Sequence, residues 1–95
     1  MTFVLQYHEK VIKHDIPRLS NNVQQKIKSA IEKKLLVSPE LFGIPLRKSL
    51  KGYRKLRVGD YRVIFYLHGT MVKILVIQHR SIVYSSASKR VTSKI

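Results

Sequence analysis

Two glycine-led turns constrain the fold of this chain more than any other feature of its sequence. Gly59-Asp60 and Gly69-Thr70 each separate two runs of alternating apolar and polar residues. Two-residue links with glycine first join antiparallel strands, because glycine accepts the positive φ that type I′ and II′ turns require. The pattern therefore predicts a meander of three strands, Tyr53–Val58, Tyr61–His68 and Met71–His79.

The residues before the meander predict one strand and two helices. Thr2–Tyr7 alternates like a short strand, and Glu9–Leu19 has a weak helical spacing of apolar residues. Asn21–Leu36 has the clearest helical spacing, and Asn21 or Asn22 can cap this helix. Ser38–Gly52, which contains two prolines, predicts a loop.

These elements predict an α+β fold and one domain over residues 1–95, because a chain of this length forms a single domain. The expected order is β-α-α-β-β-β, with the two N-terminal helices packed on one face of an antiparallel meander sheet. A short helix after Ser81 is expected to follow, with Val83 and Tyr84 docked. The tail after about residue 87 is expected to be loosely ordered.

The turns also set a pairing register, which sorts side chains between the two faces of the sheet. The first turn pairs Arg57 with Arg62 and Lys55 with Ile64, and the second pairs Phe65 with Ile74. It also pairs Val63 with Val76 and Arg62 with Ile77. One face then collects apolar residues for the helices, and the other gathers cations near Gly59: Lys55, Arg57, Arg62 and His79.

Two arginines in opposed positions cost several tenths of a kcal/mol, roughly, as like charges across strands do. A phosphate-binding site would explain why the chain accepts this cost. The alternative is that Arg57 and Arg62 extend into solvent around the turn, with Asp60 shielding them.

The charge of the chain favours a polyanionic partner. Nineteen Lys and Arg residues stand against five acids, a formal net charge of +14. After position 40, Asp60 is the single acid. Such an excess attracts nucleic acid, and an acidic protein partner is compatible with it. The alternative is a solvated basic surface with no specific ligand.

Several classes of chemistry are disfavoured by what the sequence lacks. With no cysteine, the chain has neither disulfides nor thiolate ligands, and its four scattered histidines predict no metal site and no cofactor. A nuclease of this kind would act on RNA, whose 2′-hydroxyl is an internal nucleophile. No signal-peptide segment and no apolar run of membrane-spanning length occur, so we predict a cytoplasmic protein without membrane contact.

Three stretches of the sequence form one pattern: the run from Leu46 through Leu50-Lys51-Gly52-Tyr53 to Tyr66, then His79-Arg80, and then Val83-Tyr84. This pattern resembles that of the RelE/ParE toxin superfamily. The resemblance covers roughly residues 3–87. It implies a toxin of a type II toxin–antitoxin pair that is neutralised by an acidic, RelB-like antitoxin. RelE-like members cleave mRNA in the ribosomal A site without metal, leaving a 2′,3′-cyclic phosphate.

The resemblance also implies roles for individual residues. Arg62 matches the phosphate-stabilising arginine, and Lys55 matches a lysine that activates the 2′-hydroxyl. Arg80 resembles an arginine that stabilises the transition state or donates a proton, and Tyr84 resembles a tyrosine that stacks on a base. These four are the predicted catalytic residues. The predicted RNA-binding residues are Lys51, Arg54, Arg57 and His79.

Three points stay open from the sequence. Tyr53 stands where some members carry a further lysine, so the general base is either His79 or a lysine whose charged form is disfavoured by burial. Tyr84 is either a stacking residue or a core residue. The function is either that of a ribosome-dependent endoribonuclease, that of a ParE-like toxin that inhibits DNA gyrase without catalysis, or that of a catalytically impaired RNA- or ribosome-binding relative.

Overall fold

A mixed five-stranded sheet forms the centre of the protein, in a computed structural model that describes residues 3–92. The spatial order of the strands is β1-β5-β4-β3-β2. The pairing of β1 with β5 is parallel, and the other pairings are antiparallel. The predicted α+β fold and three-stranded meander are confirmed. The strands are β1 (Val4–Tyr7), β2 (Ile44–Pro45), β3 (Arg54–Val58), β4 (Tyr61–His68) and β5 (Met71–His79).

Three α-helices and several short 3₁₀ and π-type helical turns accompany the sheet. The helices are α1 (Asn21–Ala30), α2 (Pro39–Phe42) and α3 (Val83–Thr92). The predicted first helix is irregular: a π-type turn over Val11–Asp15 precedes a 3₁₀ turn over Ile16–Arg18, which contains Pro17. A second π-type turn, Ile31–Leu35, continues α1, and a 3₁₀ turn, Lys48–Leu50, precedes β3.

The cap of α1 lies one residue earlier than the sequence suggested. The hydroxyl of Ser20 accepts a hydrogen bond from the backbone N–H of Val23 at 3.2 Å. Ser20 has extended backbone angles, as an N-cap requires, whereas Asn21 already belongs to the helix.

Each face of the sheet carries its own apolar core. On one face, the helical segment before α1, α1 itself and the turn after it contribute Val11, Ile27 and Leu35, which pack with Val63 and Phe65. On the other face, α3 contributes Val83 and Ala87 to a smaller cluster whose remaining buried members are Leu50, Ile64, Leu75 and Val76. The two N-terminal helical segments therefore share one face, as predicted, and α3 covers the other.

A β-bulge corrects part of the predicted register. Strands β3 and β4, which the first turn joins, pair as predicted, and Phe65 of β4 pairs with Ile74 of β5 as expected. An irregularity between Ile64 and Phe65 then gives β5 one extra residue, so that Val63 pairs with Ile77 and Arg62 with Gln78. The predicted pairs of Val63 with Val76 and of Arg62 with Ile77 are wrong, because one extra residue exchanges the two faces. Ile77 consequently joins the α1 core and Val76 joins the α3 core.

The C-terminal helix is longer than the sequence suggested. It continues past residue 87 to Thr92, and both Ala87 and Arg90 are buried. The sequence predicts a loosely ordered tail after about residue 87; the described residues of this tail are helical as far as Thr92, and residues 93–95 lie outside the described part. Within residues 3–92, no helix has the length and apolar character needed to cross a bilayer.

Candidate functional site

A cavity of about 330 Å³ opens on the α3 face of the sheet, near the Gly59 turn. Strands β3 and β4 contribute Lys55 and Arg62, and α3 contributes Tyr84. The end of β5 and the turn after it contribute His79, Arg80 and Ser81. All four predicted catalytic residues thus line one cavity, together with one of the four predicted RNA-binding residues.

Lys55 and Tyr84 are in direct contact although they lie on different elements. Nζ of Lys55 donates a hydrogen bond to the phenolic oxygen of Tyr84 at 3.1 Å and lies 5.5 Å from the centre of its ring. Tyr84 is half-buried and packs against the α3 core, so its ring body is held in place while its hydroxyl reaches the cavity. Tyr84 therefore packs partly in the core, and stacking on a base stays a prediction.

The backbone of the Gly59 turn holds the guanidinium of Arg62. Nη1 donates to the carbonyl oxygens of Gly59 at 2.8 Å and Tyr61 at 2.9 Å. Within residues 3–92 these are the hydrogen bonds of the guanidinium, so Nε and Nη2 keep their donors for a ligand. A planar guanidinium with one edge held by backbone is suited to bind a phosphate through its other edge.

Hydrogen bonds to Ser81 orient the ring of His79. The backbone N–H of Ser81 donates to Nδ1 at 3.2 Å, and its hydroxyl lies 2.9 Å from the same nitrogen. The ring also makes an edge contact with Tyr61, at 5.5 Å between centroids. Because Nδ1 accepts the backbone N–H, the neutral ring carries its proton on Nε2.

Arg80 is more loosely held than Arg62. Its Nε lies 3.7 Å from the carboxylate of Asp60, and both side chains are mostly exposed. Its backbone N–H donates to the carbonyl of Asp60 at 2.8 Å, which fixes the main chain beside the cavity. An exposed ion pair of this length contributes little to stability, so the guanidinium can reorient towards a bound anion.

Three predicted RNA-binding residues do not line the cavity. Arg57 is exposed directly opposite Arg62, as predicted. Arg54 pairs with Phe65 and donates to the carbonyl oxygens of Glu40 at 3.3 Å and Gly43 at 3.0 Å, so it ties α2 to the sheet. Lys51 is exposed in the turn before β3.

A buried polar network that the sequence analysis missed holds α3 against the sheet. Arg90 binds both carboxylate oxygens of Asp15, at 2.6 and 2.8 Å, and the carbonyl of Leu75 at 3.0 Å. The backbone N–H of Ile77 and the side-chain amide of Gln78 also donate to Asp15. Helical spacing could have indicated that Asp15 is buried, because it lies four residues after Val11, on the buried side of the segment.

The network also sets the charge state of its carboxylate. Burial by itself would raise the pKa of Asp15, but the hydrogen bonds from Arg90, Ile77 and Gln78 outweigh it, and the pKa is lowered from its ordinary value. Asp15 is therefore ionised, and it neutralises Arg90 inside the protein. This pair anchors the helix that carries Tyr84.

The sequence matches the family model of the ParE toxin of type II toxin–antitoxin systems (parDE) over residues 6–84. The chain belongs to this toxin family. It is thus a member of the RelE/ParE superfamily, as the resemblance implied. The matched range ends at Tyr84, so all the cavity residues lie inside it and Arg90 lies outside it. No curated protein sequence matches the chain significantly.

Solved structures of toxins share the fold. A chain of the toxin–antitoxin complex RelBE2 from Mycobacterium tuberculosis is 24% identical with a TM-score of 0.77, covering 84% of this toxin and 100% of that chain. A variant of Escherichia coli RelE in the free state is 26% identical with a TM-score of 0.72, covering 96% and 99%. The archaeal RelE–RelB complex from Pyrococcus horikoshii is 25% identical with a TM-score of 0.64, covering 84% and 97%.

Proposed function

We propose that this toxin is a ribosome-dependent endoribonuclease that cleaves mRNA in the A site. The observation that carries the proposal is the single cavity in which Lys55, Arg62, His79, Arg80 and Tyr84 meet. Cleavage of RNA needs a base, cations around the phosphate and an acid, and this set of side chains can supply all three.

In the proposed reaction the 2′-oxygen of the ribose attacks the adjacent phosphorus, and the bond from phosphorus to the 5′-oxygen breaks. A 2′,3′-cyclic phosphate and a 5′-hydroxyl result. Arg62 stabilises the charge on the phosphorane through its unoccupied edge, and Arg80 turns from Asp60 to share it. These guanidinium groups supply the positive charge that a metal supplies in other nucleases, so we propose a metal-independent reaction.

The orientation of His79 bears on the identity of the base. In the neutral ring Nδ1 already accepts the Ser81 N–H and Nε2 carries a proton, so neither nitrogen is open to take the 2′-proton. We therefore assign removal of the 2′-proton to Lys55 as the free amine, and protonation of the leaving 5′-oxygen to Arg80 or to His79 as an imidazolium. The hydroxyl of Tyr84, which accepts from Lys55, orients the amine, and its ring provides a surface for a base.

The proposed partners are the ribosome, its mRNA and a cognate antitoxin. An acidic antitoxin suits a chain of net charge +14, and the neighbours in complexes with RelB-type antitoxins support this partner. A second cavity of about 330 Å³ between β1 and α1, lined by Leu5, Ile16, Leu19, Ile27 and Ile31 among others, offers an apolar groove for an amphipathic helix.

A second candidate function is inhibition of DNA gyrase by binding alone. The observation that favours it is the match to the ParE toxin model. In that function the cavity residues would bind an anionic surface without chemistry.

Primer extension on an mRNA in a reconstituted translation system separates the two functions. The wild type is compared with Arg62→Ala and Arg80→Ala, with Arg18→Ala as the matched control, because Arg18 is exposed on the first helical segment. We expect ribosome-dependent cuts at A-site codons for the wild type and the control, and a loss of about 100-fold or more for Arg62→Ala.

Intact message with translation proceeding normally would rule out the ribonuclease function, and inhibition of gyrase supercoiling would then support the second candidate. The variant Tyr84→Phe then tests the ribonuclease proposal in more detail. Loss of cleavage with retained RNA binding assigns a role to the hydroxyl, whereas unchanged cleavage limits Tyr84 to stacking.

A further inference from the structure

An exposed apolar side chain lies beside Lys55, on the edge strand of the sheet. Ile44 of β2 pairs directly with Lys55 of β3, so the two side chains lie on the same face. In such a pair the Cβ atoms are about 4.5–5.5 Å apart. Ile44 is 44% exposed. It therefore borders the candidate active site on the β2 side, although it is not among the residues that line the cavity.

Lys55 thus lies between two apolar side chains. On one side is Tyr84 of α3, a helix that contacts β4 and β5, and on the other side is β2 with Ile44. Tyr84 is half-buried against the α3 core, and Nζ of Lys55 already lies over its ring, 5.5 Å from the centre. Ile44 is consequently the more open apolar surface next to the lysine.

The surroundings of Ile44 limit what can bind there. Strand β2 has only two residues, and Pro45 has no backbone N–H, so the edge is poorly suited to pair with another strand. A second copy of the chain is disfavoured because Lys55 and Arg57 lie on the same face and the net charge is +14. Residues 42–59 include no acid. The surface therefore suits a ligand that combines negative charge with an apolar face.

A nucleotide combines these two properties, and the proposed reaction brings one to Lys55. The 2′-hydroxyl from which Lys55 removes the proton is bonded to the ribose carbon next to the one that carries the base. The base of that nucleotide consequently lies within reach of the side chains beside Lys55, of which Ile44 offers the open apolar surface.

We propose that Ile44 contacts the face of the base on the nucleotide whose 2′-oxygen attacks. The identity of this nucleotide rests on the proposed function, whereas the contact needs neither cleavage nor a ribosome. Every base has a flat face, so an aliphatic contact accepts all four bases and gains most from the larger purines. Tyr84, on the other side of Lys55, is then left for the base of the following nucleotide.

The test is NMR of the full chain with ¹³C-labelled isoleucine methyl groups, titrated with dinucleotides whose first ribose is 2′-deoxy and which therefore cannot be cleaved. A dinucleotide has one phosphate, so the cations of the cavity define its register. A base above a methyl group shifts the proton resonance upfield through its ring current. We expect this shift at Ile44, larger with adenine than with uracil as the first base. Ile12, which is 57% exposed on the first helical segment, should not shift.

The variant Ile44→Ser removes the apolar contact, and Ile12→Ser is its matched control, because both isoleucines are exposed. Ile44→Ser should weaken binding of the dinucleotide with adenine first by about 4-fold, the effect of about one buried methylene group. The control should keep the affinity of the wild type, and circular dichroism checks that both variants fold. In the reconstituted translation assay, Ile44→Ser should lower cleavage by a similar factor, and Ile44→Val should restore it.

Several results would overturn the proposal. A shift confined to Ile82, which follows Ser81, would place the base at the start of α3 instead. Equal losses of affinity in Ile44→Ser and Ile12→Ser, or a larger shift with adenine as the second base, would contradict the assigned contact. A shift at Ile44 with a polyglutamate peptide and none with the dinucleotides would assign the surface to an acidic protein.

Failure of the proposed function has a different signature. If the wild type leaves mRNA intact but Ile44 shows the expected shift and loss of affinity, the ribonuclease function is wrong and the nucleotide contact is supported.

Discussion

At the scale of single residues, Asp15 is a charged side chain that lies buried inside the protein. Together with Arg90 it forms the one fully buried ion pair within residues 3–92, with side-chain exposures of 0% and 6%. Burial of two charges is costly, but a two-point contact and additional donors offset that cost. The amide oxygen of Gln78 lacks a partner among the described residues, which lowers the gain from the network.

Removal of one partner of this pair should destabilise the fold strongly. Asp15→Asn removes the carboxylate charge that Arg90 binds at two points, and we expect a loss of about 3–5 kcal/mol in the free energy of unfolding. Urea denaturation followed by circular dichroism measures it. Glu9→Gln, which breaks the exposed pair with Lys13, is the control and should have no measurable effect.

The double variant Asp15→Leu/Arg90→Met should recover much of the lost stability, because apolar residues of similar size can replace a buried pair. If Asp15→Asn proves as stable as the wild type, the pair contributes nothing and α3 is held by its apolar contacts alone.

The lowered pKa of Asp15 also predicts how stability depends on pH. A carboxyl whose pKa is lower in the folded state contributes its full stabilisation of the fold when the pH is above its unfolded pKa, about 3.9. That stabilisation is lost as the pH falls through the pKa of the folded state. The stability gap between the wild type and Asp15→Asn should therefore be constant near neutral pH and shrink below about pH 4. A gap that closes between pH 6 and 7 would contradict this assignment.

At the scale of elements, the loop before the meander is packed against the sheet. The predicted loop contains α2 and β2, and Gly43 between them is buried. A Cβ at Gly43 would lie 2.5 Å from Cζ of Phe65 and 3.0 Å from Cβ of Arg54. Phe65 is fully buried, so its ring has no space to move aside.

Gly43→Ala should therefore lower the free energy of unfolding by about 1–3 kcal/mol, as overpacking does. Thermal or urea unfolding measures the loss. In a double-mutant cycle with Phe65→Leu, the two substitutions should couple favourably, because the smaller side chain makes room for the methyl group. Purely additive losses would indicate that the collision with Phe65 is not the cause.

At the scale of the whole molecule, self-repulsion follows from the net charge of +14. Exposed cations occur on several elements, among them Arg57 on β3 and Lys26 on α1, so their mutual repulsion opposes the compact state. This charge favours encounter with RNA or an acidic antitoxin, each of which would relieve the repulsion.

Added salt should therefore stabilise the free protein. Raising sodium chloride from about 10 mM to about 200 mM should increase Tm by several degrees, since screening acts on exposed charges more than on the buried pair. In the control Lys26→Glu/Lys33→Glu each substitution changes the charge by −2, so the net charge falls from +14 to +10. The Tm of this variant should increase less with salt. A Tm that falls with salt would mean that attractive surface pairs outweigh the repulsion.

The sequence by itself determined the features that depend on neighbouring residues. The glycine-led turns define the meander and the register of its first hairpin, because turn geometry is local. That register places Arg57 opposite Arg62 and Lys55 opposite Ile64, as observed. The family resemblance added Arg80 and Tyr84, which the structure also places in the cavity.

Only the tertiary structure decided the features that depend on packing between distant segments. Asp15 and Arg90 lie 75 residues apart, and nothing local marks them as partners. The bulge after Ile64 moves Ile77 and Val76 to opposite cores, and the alternation of the strand fits either register. Arg54 binds the loop because the chain folds back over its strand. Turn chemistry is a property of adjacent residues, whereas burial of a charge is a property of everything that surrounds it.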